Sequence, residues 1–269
     1  MGIASTPFTE QQLRRYSRQM VLDEVGGAGQ ARLLRSRVLV VGTGGLGSPA
    51  ALYLAAAGVG LIGLVDSDEV EVSNLQRQIL HDVEALGRAK TDSARARLEA
   101  LNPEVRVVAH RVRLGPANAT ELLAGYDVIV EGSDDQATKF VVNDTAVTLG
   151  IALVVAAILR WEGQLLVVRP RDTACYRCVH RALPAGPRIP SCEAAGIVGP
   201  VAGVMGSLQA VEALKLCLDL PTTAAGHLLV YDGAAGELTR LRARRDPTCA
   251  ACGLLPRSGP PQAHQRSDG

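Results

Sequence analysis

Aromatic residues are scarce in this chain of 269 residues: one tryptophan, five tyrosines and two phenylalanines. That shortage leaves little for stacking on single-stranded nucleic acid. An excess of one charge sign is missing as well. The 28 basic residues nearly cancel the 27 acidic ones, for a net charge of +1, so no electrostatic footprint for nucleic acid or an anionic membrane is visible. Long apolar runs are absent. The longest unbroken one, Ile151 to Leu159, holds nine residues, far short of a spanning helix. A second stretch, Ala194 to Gly206, is interrupted by glycines and Pro200, and both read as buried core. No apolar segment precedes Arg14 and Arg15, so no export signal is expected and the location is read as cytoplasmic. The five histidines form no H-x-x-x-H pair, and no G-x-S-x-G elbow occurs, which leaves a hydrolase triad without support.

What is present is apolar mass: 47% apolar against 20% charged residues, enough for a large core. Thr9 to Gln12 has the form of a capping box, opening a helix to about Glu24, with Gly26, Gly27 and Gly29 marking its end and a short helix over 30–36. Strands are then predicted at 37–41, 61–65, 105–109 and 127–130, alternating with helices at 46–57, 74–80, 87–101 and 135–150. This succession predicts an α/β fold with a doubly wound, mostly parallel sheet. Beyond residue 151 two strands joined by a turn (152–156, 163–168), a loop over 175–190, a helix over 200–218 and strands at 227–231 and 237–241 continue the sheet. Residues 254–269, rich in Pro, Gly, Ser and Gln, read as a disordered tail.

Gly42, Gly44 and Gly47 fit G-x-G-x-x-G between a predicted strand and helix. Glycine admits close approach of backbone to phosphate, and the helix N-terminus offers free N–H groups. Asp66 follows nineteen residues after Gly47, where a ribose-binding acid sits in such folds. The motif alone does not separate NAD, FAD and ATP. Asn74 and Arg77, three apart, are expected on one face of a short helix. Lys90, beside Arg88, falls in a helix's first turn, where a cation opposes the helix dipole by roughly 0.3–1 kcal/mol. An anion between Arg77 and Lys90 would remove that conflict. Asp134 and Asp135 follow a strand's carboxyl end: Asp135 is expected to cap the next helix and Asp134 to hold Mg²⁺ together with phosphate oxygens. Hydride transfer requires neither the cations nor the metal, whereas chemistry at phosphorus uses both.

Cys175-x-x-Cys178 and Cys249-x-x-Cys252 are two knuckles separated by seventy residues, a pattern for tetrahedral Zn²⁺ that clips the chain's end onto the sheet. Four thiolates leave no open ligand position, so the zinc is expected to be structural. Cys192 ends the long loop and is a candidate nucleophile, or a thiol of no consequence; Cys217 lies in an apolar helix and reads as core.

Taken in order, Arg15-Tyr-Ser-Arg18-Gln19, Val41 to Gly47, Asp66-Ser-Asp68, Ser73-Asn-Leu-Gln-Arg-Gln78, Glu162-Gly-Gln164, Cys175-Tyr-Arg-Cys178 and Gly206 to Lys215 resemble the MoeB/ThiF/HesA group of ubiquitin-activating-enzyme-like adenylyltransferases, with MoeB the nearest. The resemblance implies a Rossmann-like fold over 1–253: helices in 1–36, a nucleotide-binding half in 37–150, and a carrier-binding half with the four-cysteine site in 151–253. It implies ATP and Mg²⁺ at the glycine-rich turn, and adenylation of the C-terminal Gly-Gly carboxylate of a small ubiquitin-fold sulfur carrier. By the same resemblance Gly45 contacts phosphate, Asp66 the ribose, and Asn74, Arg77 and Lys90 the triphosphate; Asp68 and Ser73 belong to the same motifs. Arg18 would reach the partner's site across a homodimer, and Cys192 matches a position where some relatives form a covalent adduct. Two departures stand out: Asp135 replaces the usual Asn, and Lys139 the usual Arg. With no rhodanese-like segment after Gly253, the sulfur donor, a cysteine desulfurase or rhodanese, is expected to be a separate protein. The readings set against this are an NAD(P)- or FAD-dependent oxidoreductase, which shares the glycines and Asp66, and a catalytically silent adaptor for a ubiquitin-like partner.

Overall fold

Eight strands form one sheet in the order β3-β2-β1-β4-β5-β6-β7-β8. They are β1 (Arg37–Val41), β2 (Leu61–Val65), β3 (Arg106–His110), β4 (Val128–Glu131), β5 (Ala152–Leu159), β6 (Glu162–Val168), β7 (His227–Asp232) and β8 (Glu237–Arg242). The structure is a computed structural model and describes residues 8–180 and 195–256. Strands β1 to β5 pair in parallel, and β5 to β8 continue antiparallel. Strand order reverses between β1 and β4, which opens a crevice beyond their carboxyl ends, where open α/β sheets bind ligands.

The parallel strands read as continuous apolar runs because both faces are covered. In β1, Val38 and Val40 point to the side of α3 (Gly47–Ala56), α4 (Lys90–Leu101) and the long helix α8 (Gly199–Leu218). Leu39 and Val41 point to the other side, packed with α5 (Ala119–Leu123), α6 (Gln136–Leu149) and the cysteine segments. Helix α8 has the length and apolar composition of a spanning segment, although polar residues and glycines interrupt its apolar run. Here it is a core helix: Met205, Ala210 and Ala213 are buried, and Gln209 Nε2 donates to the carbonyls of Glu131 (2.7 Å) and Val154 (3.2 Å), tying it to β4 and β5.

The capping box at Thr9 is formed, and α1 (Glu10–Met20) follows it. Tyr16 docks this helix, its hydroxyl accepting from Asn102 Nδ2 (2.9 Å) and donating to Glu104 (3.1 Å). The second helix corrects the expectation. It is α2 (Gly26–Leu33), so the glycines lie inside it rather than ending α1. The reason is packing: a Cβ on Gly29 would stand 3.0 Å from Leu218 at the end of α8. The helix expected at 74–80 is a 3₁₀ turn at Val72–Asn74 followed by turns, α5 was not foreseen, and the loop after Cys175 begins with a single helical turn, α7 (Tyr176–Val179). Most of that loop (181–194), including Cys192, and the tail from 257 lie outside the described residues.

Candidate active site and cysteine cluster

The glycine-rich turn is set by lack of room. Gly42 has φ +83°, and a Cβ on Gly47 would fall 1.9 Å from the Gly42 carbonyl oxygen. The Gly42 N–H donates to Val65 (2.8 Å) and the Gly132 N–H to Val41 (2.9 Å), joining the turn to the ends of β2 and β4. Asp66 Oδ2 accepts from the Thr43 N–H (2.8 Å) and hydroxyl (2.9 Å), while its Oδ1 accepts from the Asp68 N–H (3.0 Å). Helix α3 starts here without a side-chain cap. The Ser48 and Ala50 N–H groups already donate to the Gly44 and Leu46 carbonyls, and Pro49 has none. The N–H groups of Gly44, Gly45 and Leu46 make no hydrogen bond among the described residues and stay available to an anion.

Buried His81 lies beneath the turn. Its Nε2 is 3.0 Å from the Thr43 carbonyl and its Nδ1 3.0 Å from the Ser93 hydroxyl. A carbonyl only accepts, so Nε2 carries the proton and Nδ1 accepts from Ser93. Burial pushes this imidazole below its ordinary range, and the nearby Lys90 charge adds to that.

Beside the turn lies a cleft of about 330 Å³. It brings together Gly42, Gly44, Gly45, Asp66, Asp68, Arg77, Lys90, Asp134 and Asp135. Lys90 does not wait for an external anion, as the sequence had implied: its ammonium donates to Asp68 at 2.9 Å. Partial burial raises the Asp68 carboxyl, but Lys90's hydrogen bond and charge outweigh it and hold the group below its ordinary range. Arg77 donates to the Ser73 carbonyl (3.1 Å), and its side chain flanks Gly45. Asp135 caps α6, accepting from the N–H of Ala137 and of Thr138 and from the Thr138 hydroxyl. Against the effect of burial, those bonds hold its carboxyl low. Asp134 is exposed and has no hydrogen bond among the described residues, leaving both oxygens available to a hard cation.

Three of the residues singled out in the sequence stand apart from the cleft lining. Ser73 and Asn74 pair with each other, Asn74 Nδ2 donating to Ser73 Oγ at 3.1 Å, and Arg18 is exposed on α1. The lining also holds residues that the sequence alone does not assign to the site, among them Gln78, Arg113, Ser133 and Lys139. Gln78 closes the Ser73–Gln78 motif, and Lys139 stands where the resembled family usually has Arg. Arg113 follows β3 and carried no signal beyond that position. Lys139 is buried against Glu131, which has no exposed surface; burial raises the Glu131 carboxyl, and the Lys139 ammonium opposes the rise.

On the opposite face the four expected cysteines converge. Their sulfurs all lie within 4.8 Å of one another, with Cys175–Cys178 at 3.8 Å, Cys175–Cys249 at 3.6 Å and Cys178–Cys252 at 3.5 Å. Zn–S bonds of about 2.3 Å in a tetrahedron separate sulfurs by about 3.8 Å, so the donor set and spacing fit zinc. Burial and the neighbouring sulfurs push the Cys175 thiol far up, and burial with the Cys178 contact takes Cys252 to about 11. A divalent cation would offset that crowding of negative charge. Arg177 clamps Asp144 on α6 through two N–H···O contacts of 2.7 Å, and the Tyr176 N–H donates to Asn143 (2.8 Å), so α6 joins this cluster to the Asp134 loop.

The His81 geometry yields a pH dependence. Its folded pKa is depressed, so below about pH 6.5 the unfolded chain takes up a proton that the native site resists. Stability is therefore expected to fall as pH drops through 6.5. Melting temperatures between pH 8 and 5 should show a steeper acid loss for the wild type than for His81→Gln, which keeps a donor for Thr43 without titrating. Parallel profiles would contradict the assignment.

The chain matches the ThiF family over residues 16–251. It is 47% identical over 254 residues to the sulfur carrier protein adenylyltransferase of Thermus thermophilus, covering 93% of this chain and 94% of that one. It is 48% identical over 250 residues to the adenylyltransferase and sulfurtransferase MOCS3 of Bos taurus, where the match takes 93% of this chain but 55% of the longer relative. Among solved structures, Escherichia coli MccB with MccA-N7isoASN has a TM-score of 0.80 at 21% identity, covering 93% of this chain and 76% of that one. The MccB structure with ATP has a TM-score of 0.75 at 23% identity, covering 89% and 74%. The family match over 16–251 and the 47% identity to the Thermus relative make this chain a member of the ThiF family.

Proposed function

We propose that this protein uses ATP to adenylate the C-terminal Gly-Gly carboxylate of a small ubiquitin-fold sulfur carrier, releasing pyrophosphate, in preparation for thiocarboxylate formation by a separate sulfur donor. The observation that carries it is the convergence of Arg77, Lys90 and Asp134 on one glycine-lined cleft at the sheet's switch point. The names of the Thermus and bovine relatives support the same chemistry. Residues 1–253 act as one adenylation unit in the cytoplasm.

In this reading the triphosphate lies on the uncapped start of α3 beside Gly44 and Gly45, with the ribose toward Asp66. The carrier's carboxylate oxygen attacks the α-phosphorus, the new O–P bond forms, and the bond to the β-phosphate oxygen breaks. Arg77 and Lys90, with Arg18 from the other subunit of a homodimer, stabilise charge on the phosphates, which is most of what catalysis at phosphorus requires. Asp134 would hold Mg²⁺, and Asp135 would serve it indirectly by capping α6. When bound, that ion neutralises charge on the phosphate oxygens. Ser73 and Asn74 act by shaping the turn that carries Arg77, through the Ser73 carbonyl. Zn²⁺ on Cys175, Cys178, Cys249 and Cys252 is structural. Cys192 remains a candidate for covalent chemistry after adenylation.

Two outcomes test this. With a Gly-Gly carrier and Mg²⁺, the protein should exchange labelled pyrophosphate into ATP, and Arg77→Ala or Asp134→Ala should slow the exchange by about 100-fold. Wild-type exchange in both variants would contradict the site, and a melting temperature raised by NAD or FAD but not by ATP would favour an oxidoreductase. Metal analysis should find about one zinc per chain. Chelation or Cys252→Ser should lower the melting temperature sharply, because binding at such sites contributes on the order of 10 kcal/mol to folding. A metal-free protein of unchanged stability would refute the zinc assignment.

A further inference from the structure

Lys139 lines the cleft but differs from its other cations. Its ammonium meets three acceptors at once: a Glu131 carboxylate oxygen, the Ser133 carbonyl (2.7 Å) and the Ala156 carbonyl (2.7 Å). A lysine nitrogen has three hydrogen-bonding directions, so none is left for a phosphate. The side chain is only 5% exposed.

Glu131 completes the arrangement. One of its oxygens faces Lys139, and the other accepts from the Ser133 N–H (3.0 Å) and hydroxyl. The N–H and the C=O of Ser133 are thus held by the two halves of one buried pair. Asp134 is the next residue, exposed and unengaged among the described residues. The contact to Ala156 also ties this loop to β5. By contrast, among the described residues Arg77 is bound only to the Ser73 carbonyl and Lys90 only to Asp68, so both keep donors for a ligand.

We propose that Lys139 and Glu131 are positioning residues: they clamp the Ser133 backbone so that Asp134 is presented to a nucleotide-bound divalent cation, and Lys139 is not itself a phosphate ligand. The inference rests on the nucleotide reading above. Partners that orient metal ligands commonly change metal affinity by about 10–100-fold when removed. An effect of that kind appears in the metal dependence of binding and not in metal-free nucleotide binding, which separates positioning from direct contact.

The test is calorimetric titration of the full chain with ATP, first in magnesium-free buffer and then across a Mg²⁺ series. Lys139→Met should leave metal-free ATP binding at the wild-type level and raise the Mg²⁺ concentration for half-maximal effect by about tenfold or more. Lys139→Arg should restore the wild-type Mg²⁺ dependence, since a guanidinium can serve the same acceptors. Because Lys139→Met leaves Glu131 buried without its partner, the double variant E131Q/K139M is measured beside it and decides the matter if the single variant does not fold. It should bind metal-free ATP normally and show the same raised Mg²⁺ requirement. Metal-free ATP binding weakened as much as in Arg77→Ala would make Lys139 a phosphate ligand and overturn the proposal. So would an unchanged Mg²⁺ dependence in the folded variants. A wild type that binds no ATP under any of these conditions would instead refute the nucleotide reading on which the inference stands.

Discussion

The turn between β1 and α3 passes so close to its own start and to the end of β4 that two of its positions have no room for a side chain. A Cβ on Gly47 would overlap the Gly42 carbonyl, and one on Gly42 would stand 2.9 Å from the Ser133 nitrogen. That closeness brings the ends of β1, β2 and β4 around one cleft. Asp66 grips the turn from β2 through Thr43, and His81 grips it from below through the same residue's carbonyl. The N–H groups of Gly44, Gly45 and Leu46, in the turn just before α3, make no hydrogen bond among the described residues. A rigid, donor-rich floor of this kind binds phosphate without reorganising, which is where electrostatic stabilisation of a transition state is most effective.

Charge around this floor is divided between groups that neutralise each other and groups that do not. Lys139 and Glu131 are buried together, and a buried pair seldom adds much net stability because both ions lose their hydration. Its value here is geometric, since its hydrogen bonds end on the loop before Asp134. Lys90 and Asp68 are half-wet: the ammonium is 8% exposed and the carboxylate 65%. That contact can loosen when a more highly charged anion arrives. The side chains of Arg113 and Asp134 make no hydrogen bond among the described residues, and Arg77 is held by the Ser73 carbonyl, so cations and an anion stay open to a metal-bound triphosphate. Helix α6 then links this loop to the cysteine cluster through Asn143 and Asp144, so the far end of the chain braces the same helix that Asp135 caps.

Much of this could be read from the amino-acid order because the determinants are local. The runs 37–41 and 61–65 are short, β-branched and bounded by turn residues, and the strands have those bounds. The paired knuckles specify a ligand set whatever the intervening chain does, and their sulfurs do meet. Local rules failed where a distant partner decides. Gly29 is a contact point for Leu218, so its helix starts earlier than glycine content implies. Lys90 opposes a helix dipole only until Asp68, twenty-two residues earlier, is brought beside it. Glu131 reads as an ordinary strand-end acid, and Lys139 as a substituted arginine. Only the fold shows that each exists for the other and that both hold Ser133.

In the proposed reaction a carboxylate oxygen of the carrier becomes bonded to the α-phosphorus of ATP in this cleft. That bond formation is tested most directly by isotope transfer. A Gly-Gly carrier labelled with ¹⁸O in its terminal carboxylate is turned over with ATP and a sulfur donor, and the nucleotide product is weighed by mass spectrometry. AMP carrying one ¹⁸O from the carrier is the expected product. Turnover that yields unlabelled AMP, or ADP in its place, would contradict that reaction.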